Sequence, residues 1–142
     1  MRASNRLLVI GIVAVAATAL SGCCTCPGAA KCKPELTRYG SVILVKPECL
    51  EAYKEIHANC WPEVLAMIRR CNIRNYSIYY RDGYLFSYFE YVGEDFEADM
   101  AKMAADPKTQ EWWTHTDPMQ QPIDTAKEGE WWASMEEVFH TE

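Results

Sequence analysis

The sequence predicts a single α+β domain, and three observations lead to this prediction. Short runs rich in β-branched and aromatic residues alternate with two segments of helical periodicity, in the order strand, helix, strand, strand, helix, strand. The 142 residues suffice for one hydrophobic core but not for two. Apolar residues make up 49% and charged residues 24% of the chain, which is typical of globular proteins.

The first 22 residues have the layout of a signal peptide. Arg2 and Arg6 precede an uncharged apolar run over residues 7–20. As a helix this run would extend roughly 21 Å, too short for the ~30 Å hydrocarbon core of a bilayer. It ends in Leu-Ser-Gly-Cys23, which resembles the lipobox of bacterial lipoproteins, in which the cysteine is acylated. We therefore expect an exported protein, anchored by lipid at Cys23 to the cell envelope at its periplasmic or outer surface; an uncleaved membrane anchor is the alternative.

The remaining chain divides into a tether, residues 23–37, and a domain, residues 38–142. The tether contains prolines and small residues without periodicity. Cleavage before Cys23 would remove two positive charges and no negative one, so the net charge would change from −6 to −8. This negative charge argues against nucleic acid as a partner.

The cysteines of the domain are spaced eleven residues apart on one predicted helix: Cys49, Cys60 and Cys71. Eleven helical residues extend about 16 Å, so these three cannot form disulfides with one another. Cys60 and Cys71 are interpreted as small buried apolar residues. Three further cysteines lie in the tether: Cys24, Cys26 and Cys32. A disulfide among them stays open, whereas Cys-Thr-Cys alone is too weak a signal for a metal site, and no metal is predicted.

The first half of the domain is predicted to contain one strand and one long helix. Residues 38–46 include Val42-Ile43-Leu44-Val45, a β-branched run that predicts a strand. Between residues 48 and 71 the apolar positions recur every three or four residues, which predicts an amphipathic helix. Pro62 lies inside this helix and removes one of its hydrogen bonds, so a kink is expected just after His57.

The second half is predicted to contain strands at residues 75–81 and 84–91, a helix at 94–105, a helical turn at 109–116 and a last strand at 134–140. Asp82-Gly83 is a turn signal between the first two of these strands. The complete order matches the split βαββαβ pattern of a ferredoxin-like sandwich. Because both helices would cover one face of the sheet, we expect a homodimer of the dimeric α/β-barrel type, in which a second copy covers the other face.

His57 is the first candidate for chemistry. It lies one helical turn after Tyr53, so both side chains share the stripe of the helix that faces the sheet. A histidine in a partly dry site has a pKa that its surroundings can bring near neutrality, which suits acid/base catalysis. From spacing alone, a core histidine hydrogen-bonded to a strand is the more common arrangement.

Aromatic residues supply candidates for binding a sugar. Trp112 and Trp113 are adjacent and point in different directions, so at least one is expected to be partly exposed, where its flat face would stack on a sugar. Closing the open edge of a small core is the alternative for this pair. Tyr76 lies on a strand whose alternation allows it to present a phenol to His57, although tyrosine is common in strands without any function.

Other residues carry weaker signals. Trp131 and Trp132 precede the last strand and are assigned to packing. The candidate carboxylates are Glu63, Glu90 and Glu137, and most such groups are simply solvated. The sequence contains no Gly-rich phosphate loop, no His-rich zinc spacing and no nucleophile elbow, so those reaction classes are not favoured.

Four segments together resemble the L-rhamnose mutarotase family: residues 53–63 (YKEIHANCWPE), residues 75–79 (NYSIY), the pair Trp112-Trp113 and residues 137–139 (EVF). Their order and spacing match over about 100 residues, from near Tyr39 to His140. The resemblance implies a ferredoxin-like domain that dimerises through its sheet. It also implies that His57 is the proton donor and that the sugar is contacted by Tyr53, Tyr76, Trp112 and Trp113.

The resemblance further implies an isomerase that interconverts the α and β anomers of L-rhamnose or a related 6-deoxy sugar, without a cofactor. The anomers exchange through the open-chain aldehyde, with His57 as acid and a tyrosine, a carboxylate or water as its partner. Ala58-Asn59 replaces the Asn-Pro that family members often carry, and the lipoprotein signal is a second difference. These differences keep a non-enzymatic sugar-binding lipoprotein as the alternative; an oxygenase on the same scaffold is less favoured, since nothing marks oxygen chemistry.

Overall fold

The computed structural model describes residues 36–141, which form an antiparallel sheet with helices packed on one of its faces. The strands are β1 (Thr37–Val45), β2 (Ile73–Arg81), β3 (Tyr84–Tyr91), β4 (Gln120–Gln121) and β5 (Ala133–Met135). The helices are α1 (Leu50–Ala58), α2 (Pro62–Arg70), α3 (Phe96–Ala105) and α4 (Pro107–Thr116). Short 3-10 turns at Pro47–Cys49 and Asp117–Met119 precede α1 and follow α4.

The sheet has the strand order of a ferredoxin-like domain. β1 pairs with β3 on one side, β3 pairs with β2, and β5 pairs with the other side of β1, all antiparallel. The predicted fold class is therefore confirmed. The two-residue strand β4 was not predicted; it pairs with β1 at Leu44 and Val45, on the same edge as β5.

Alternation along β1 places its apolar side chains on both faces of the sheet. Ile43 and Val45 point towards the helices, where they form the centre of the core with Leu85 of β3 and Tyr53 of α1. All four side chains are at most 4% exposed. Burial of such side chains stabilises a fold by about 1.5–3 kcal/mol each, so this cluster anchors α1 on the sheet.

The prediction of one kinked helix over residues 48–71 is wrong, because the structure has two separate helices there. α1 ends at Ala58, and α2 begins at Pro62. Trp61 has extended backbone angles, with φ −63° and ψ 135°, because a residue that precedes proline disfavours the helical region. Pro62 then occupies the first position of α2, where its missing N–H is not needed. His57 is consequently in the last turn of α1.

The hairpin of β2 and β3 agrees with the prediction, and it contains one feature that was not predicted. Asp82 and Gly83 both have positive φ, 50° and 88°, as the tight turn between the strands requires. Between Arg74 and Ser77, two residues of β2, Asn75 and Tyr76, lie opposite one residue of β3, Phe89, which is a β-bulge. This extra residue lets Tyr76 face the helices although Ile73 at the start of the strand already does so.

The last strand is shorter than predicted. β5 comprises Ala133–Met135, and residues 136–141 continue without pairing to a described strand. Glu137 in this tail instead forms an ion pair with Arg38 of β1, at 2.7 Å. Val138 and Phe139 are 87% and 79% exposed. The apolar character of Val138 and Phe139 had predicted a strand, but no other part of residues 36–141 covers these two side chains.

The sheet face away from the helices carries a row of apolar and aromatic side chains. Val42, Phe86 and Tyr79 are aligned across β1, β3 and β2. Tyr79 is 64% exposed, and Tyr84 and Met135 nearby are also exposed. Within residues 36–141 no helix covers this face, as the sequence predicted, although Val42 itself is only 9% exposed.

Several predictions concern residues at the N-terminus. The signal peptide, most of the tether and its cysteines, including Cys23, lie outside the described residues. Within residues 36–141 no helix is long and apolar enough to cross a membrane. Cys49, Cys60 and Cys71 do not pair with one another, as predicted. Cys71 is fully buried, as predicted, whereas Cys60, which was also predicted to be buried, is only partly buried.

Candidate functional site

The candidate site lies where the last turn of α1 meets α4 above the sheet. The His57 ring is half-buried and lies against the ring of Tyr53, with 4.1 Å between the ring centroids. The indole of Trp112, from α4, meets the same imidazole edge-on at 5.4 Å. The helical spacing of Tyr53 and His57 and the packing of α4 against α1 therefore bring three of the predicted site residues together.

One hydrogen bond determines which nitrogen of His57 is available. Nδ1 lies 2.8 Å from the backbone carbonyl oxygen of Tyr53. Because a carbonyl can only accept, Nδ1 carries the hydrogen, and in the neutral ring Nε2 carries the lone pair. Among residues 36–141 no side chain or backbone group forms a hydrogen bond with Nε2. The neutral imidazole can therefore accept a proton from a ligand at Nε2.

The surroundings of His57 favour the neutral ring. Burial lowers the pKa of this imidazole below its ordinary value of 6.5, and the hydrogen bond to the Tyr53 carbonyl offsets part of that effect. Neither of these causes is a carboxylate. The histidine is therefore mainly neutral at pH 7, and it becomes an acid only after it has taken up a proton.

The Tyr53 hydroxyl accepts a hydrogen bond from the side-chain amide of Gln120. Gln120 of β4 donates from Nε2 to the Tyr53 hydroxyl oxygen at 3.3 Å, and the Trp131 indole donates from Nε1 to Gln120 Oε1 at 3.2 Å. Burial raises the pKa of Tyr53 strongly, the nearby Tyr76 hydroxyl raises it further, and the hydrogen bond from Gln120 lowers it. Tyr53 is therefore a neutral phenol at physiological pH.

Tyr76 approaches the site from β2. Its ring packs edge-on against Phe89 of β3 at 5.7 Å, on the helix-covered face. Tyr76 as a whole residue is 43% exposed, but its hydroxyl end is enclosed: burial raises the pKa of Tyr76, and a hydrogen bond with the Ser87 side chain lowers it. Ser87 in turn accepts from the Ser41 hydroxyl at 3.2 Å. Two serines thus add polar groups to the floor of the site.

The two adjacent tryptophans differ in exposure, as their spacing predicted. Trp112 is 5% exposed and lies between His57 and Trp61, which it meets edge-on at 5.4 Å. Trp113 is partly exposed. Trp112 therefore forms a wall beside the imidazole, and the partly exposed Trp113 follows it in α4.

The candidate carboxylates lie away from the imidazole. Glu137 pairs with Arg38, and Glu90 accepts hydrogen bonds from Asn75 and from the Tyr88 hydroxyl. Glu90 is paired in register with Arg38, and alternation places both on the face opposite to the helices. Glu63 is exposed in the first turn of α2. The sheet therefore separates Glu90 from His57.

Sequence reasoning missed three polar members of this region: Gln120, Ser87 and Ser41. Gln120 belongs to a two-residue strand, and the serines sit inside strands where they satisfy no functional pattern. Trp131, assigned to packing, does pack against the core but also donates to Gln120. The available signal was the polarity of Ser41 and Ser87 in otherwise apolar strands. Within residues 36–141 no group of three metal-binding side chains is present.

The sequence profile of the L-rhamnose mutarotase family matches residues 38–141. The L-rhamnose mutarotase of Oceanobacillus iheyensis is 28% identical over 113 residues, which cover 74% of this chain and 98% of that relative. The match spans the whole described domain and almost the whole relative.

Two solved structures share the fold. The crystal structure of an L-rhamnose mutarotase from Formosa agariphila has a TM-score of 0.58 at 23% identity, and covers 75% of this chain and 99% of that one. Tetracenomycin F2 cyclase from Streptomyces glaucescens, a type-II polyketide cyclase, has a TM-score of 0.54 at 14% identity, with 74% and 95% covered. At these identities the likeness establishes the fold, and the second match indicates that the fold alone does not fix the reaction.

The tautomer and pKa of His57 can be measured in the folded domain by long-range ¹H–¹⁵N NMR correlation during a pH titration. We expect the Nδ1–H tautomer and a pKa below 6.5, because burial disfavours the charged ring. His57→Gln identifies the signal by removing it. With a lowered pKa in the folded domain, His57 binds a proton more tightly in the unfolded chain than in the folded one. Its protonation should therefore lower the free energy of unfolding as the pH falls below 6.5. An Nε2–H tautomer, or a ring that is charged at pH 7, would contradict the prediction.

Proposed function

Because the chain belongs to the L-rhamnose mutarotase family, we propose that it is an isomerase that interconverts the α and β anomers of L-rhamnose or a related 6-deoxy sugar. The main support is the half-buried His57 ring, which lies against Tyr53 and Trp112 with Nδ1 bonded to a backbone carbonyl. A sugar that occupies the space beside these rings would meet Nε2.

The reaction needs one proton to leave the anomeric hydroxyl and one to reach the ring oxygen. In the proposed sequence, neutral His57 accepts the proton of the anomeric hydroxyl at Nε2. The bond between the anomeric carbon and the ring oxygen then breaks, and the anomeric C–O bond becomes a carbonyl. The imidazolium returns the proton from Nε2 to the ring oxygen, which completes the open-chain aldehyde.

Ring closure runs the same steps backwards. After rotation of the aldehyde, the sugar hydroxyl attacks the other face of the carbonyl, His57 accepts its proton, and the new anomeric oxygen receives it. In the closed sugar, the ring oxygen and the anomeric oxygen are bonded to the same carbon. Nε2 of His57 can therefore exchange a proton with both oxygens. The acid role predicted for His57 is then the second half of a shuttle that begins with the histidine as base.

The aromatic residues around His57 are proposed to hold the sugar. Trp113 would stack on the apolar face of the deoxysugar, with Trp112 as the wall behind it, because flat aromatic faces pack well against C–H groups. Tyr53 and Tyr76 would form hydrogen bonds with its hydroxyl groups. No cofactor is needed, since the reaction only relocates a proton.

A second copy of the chain is proposed to cover the open sheet face. Exposed apolar patches of this kind are typical of protein interfaces. The exposed Val138 and Phe139 side chains at the end of the chain would add to the same contact. The active protein would then be a homodimer with two sites, one on the helix-covered face of each sheet.

The N-terminal residues support a location at the bacterial cell envelope. We propose that export is followed by acylation of Cys23 and that the tether holds the domain at the periplasmic or outer surface. The substrate would then be a free sugar outside the cytoplasm. This proposal rests on the sequence of residues 1–23 alone.

Anomer exchange is measured by NMR magnetisation transfer between the α and β signals of L-rhamnose and L-fucose. Residues 36–142 are expected to accelerate the exchange, and His57→Gln to lower the accelerated rate by about 10²- to 10⁴-fold, because it removes the proton-accepting nitrogen. His115→Gln, an exposed histidine of α4, is the matched control and should retain the rate. Sugar binding without any acceleration would favour the non-enzymatic alternative, and equal rates for the two variants would exclude His57 as the shuttle.

The dimer is tested by sedimentation or light scattering on the same domain. Tyr79→Glu is expected to shift the protein to a monomer, because it places a charge on the open sheet face, whereas Tyr80→Glu changes the neighbouring tyrosine on the helix-covered side. Tyr80 lies near the Lys54 ammonium, so a carboxylate should be tolerated there. A wild-type monomer, or a Tyr79→Glu dimer of undiminished affinity, contradicts the proposal.

The lipid anchor is tested by fractionation of bacterial cells that express the full chain. We expect the protein in the membrane fraction, with an acylated N-terminal cysteine by mass spectrometry, because Cys23 ends the lipobox-like sequence. Cys23→Ala should prevent acylation, and Cys24→Ala, the adjacent cysteine, should not. An unmodified protein that still carries residues 1–22 would support the uncleaved anchor instead.

A further inference from the structure

The two hydrogen bonds that join Trp131, Gln120 and Tyr53 can have only one order of donor and acceptor. The indole N–H of Trp131 is a donor without acceptor capacity, so it requires the amide oxygen of Gln120 to face it. The amide NH₂ group of Gln120 must then face Tyr53. A phenol oxygen that accepts this bond keeps its own hydrogen for a different acceptor.

The surroundings make this orientation costly to reverse. Tyr53 and Gln120 are 4% and 5% exposed, so water does not readily compensate for a lost bond. If the Gln120 amide turned over, two donors would face each other at Trp131, and the Tyr53 hydroxyl would donate to Gln120. Because Gln120 is buried, its NH₂ group would then lie in dry surroundings without an acceptor, which disfavours the reversed orientation.

The chain path brings the two residues together. Gln120 pairs in register with Val45, a core residue, so its side chain lies on the same face as Tyr53. The segment of residues 122–132 then leaves the edge of β1 and returns to it at β5, with Trp131 packed against the core just before the strand resumes. The interruption between β4 and β5 thus supplies the indole that orients the amide.

We propose that Gln120, held by Trp131, is a positioning residue that fixes Tyr53 as a hydrogen-bond donor to the sugar. This inference rests on the proposed function and deepens it. During ring opening, negative charge develops on the ring oxygen before the proton arrives from His57. A hydroxyl already aimed as a donor stabilises that charge without reorganising, whereas one that donated to Gln120 would present its lone pairs to the sugar oxygen.

The first test is a double-mutant cycle on the rate of anomer exchange. Gln120→Met keeps the length of the side chain but removes the amide, and Trp131→Phe keeps an aromatic ring but removes the N–H group. We expect about 10- to 100-fold slower exchange for Gln120→Met and a loss of about 3- to 10-fold for Trp131→Phe. Because Trp131 acts through Gln120, Trp131→Phe should have no further effect in the Gln120→Met background.

Matched controls separate orientation from packing. Gln121→Met changes the exposed neighbour on β4, and Trp132→Phe changes the neighbouring tryptophan that also packs against the core. Both should keep the wild-type rate. Thermal unfolding of every variant reports any general loss of stability, which would not produce the non-additive pattern in the rates.

The second test uses Gln120→Glu, in which the protonation of the new side chain decides whether it donates to the Tyr53 hydroxyl or accepts from it. A protonated carboxyl group still accepts from Trp131 and donates to Tyr53, whereas a carboxylate accepts from both. Relative to wild type, the exchange rate of Gln120→Glu should therefore fall about tenfold or more as the pH rises and this group ionises. The titratable group in contact with position 120 is the Tyr53 hydroxyl, with His57 and Tyr76 beyond it and the Lys46 ammonium bonded to the nearby Pro118 carbonyl. Dividing by the wild-type rate at each pH removes the contribution of His57.

Rates that multiply in the double variant, together with a pH-independent ratio for Gln120→Glu, would overturn the inference while the proposed function stands. A wild-type domain that does not accelerate exchange overturns the proposed function instead. In that case the same cycle is applied to the affinity for L-rhamnose, measured by calorimetry, where additive effects again count against Gln120 as the residue that orients Tyr53.

Discussion

The hydrogen bond from His57 Nδ1 to the Tyr53 carbonyl connects the chemistry of the site to the fold. It ties the imidazole to the last turn of α1, fixes which nitrogen carries the lone pair, and keeps the ring against Tyr53. A carbonyl oxygen has two lone pairs, so the Tyr53 carbonyl can accept this side-chain bond in addition to the backbone bond of the helix. α1 ends at Ala58, one residue after the histidine, and Pro62 keeps Trp61 out of the helical region, so His57 lies at the end of the helix.

The sequence was sufficient for strands β1, β2 and β3 and for the contact between Tyr53 and His57, because these follow local periodicity. Tyr53 and His57 are four residues apart on a helix, and the adjacent Trp112 and Trp113 had to differ in exposure. Gln120 could not be found in this way, since it pairs with Val45 through a two-residue strand and meets Tyr53 across 67 positions of sequence. The break between α1 and α2 was misjudged because the apolar spacing continues through it.

The positions of the carboxylates limit which side chains can act as the base in the proposed reaction. A polyketide cyclase shares this fold, so the reaction has to be argued from the side chains on the helix-covered face. That face offers an imidazole, two phenols, an amide and two serines, whereas Glu90 lies on the opposite face. A mechanism with Glu90 as a separate base would need that group to cross the sheet, and Glu63 of α2 is exposed to solvent. The proposed mechanism therefore assigns the proton transfers to the histidine, with neutral hydroxyl groups to orient the sugar.

A lowered pKa at His57 suits a reaction whose forward and reverse steps are chemically equivalent. Ring opening begins with removal of a proton and ends with its return, and ring closure repeats the cycle in the other direction. A histidine that rested in the charged form would have to lose its proton to solvent before each opening. Burial favours the neutral ring, and in the proposed shuttle the proton that it accepts comes from the sugar and returns to the sugar. Burial also raises the pKa of Tyr53, which agrees with its proposed role as a neutral hydrogen-bond donor to the sugar.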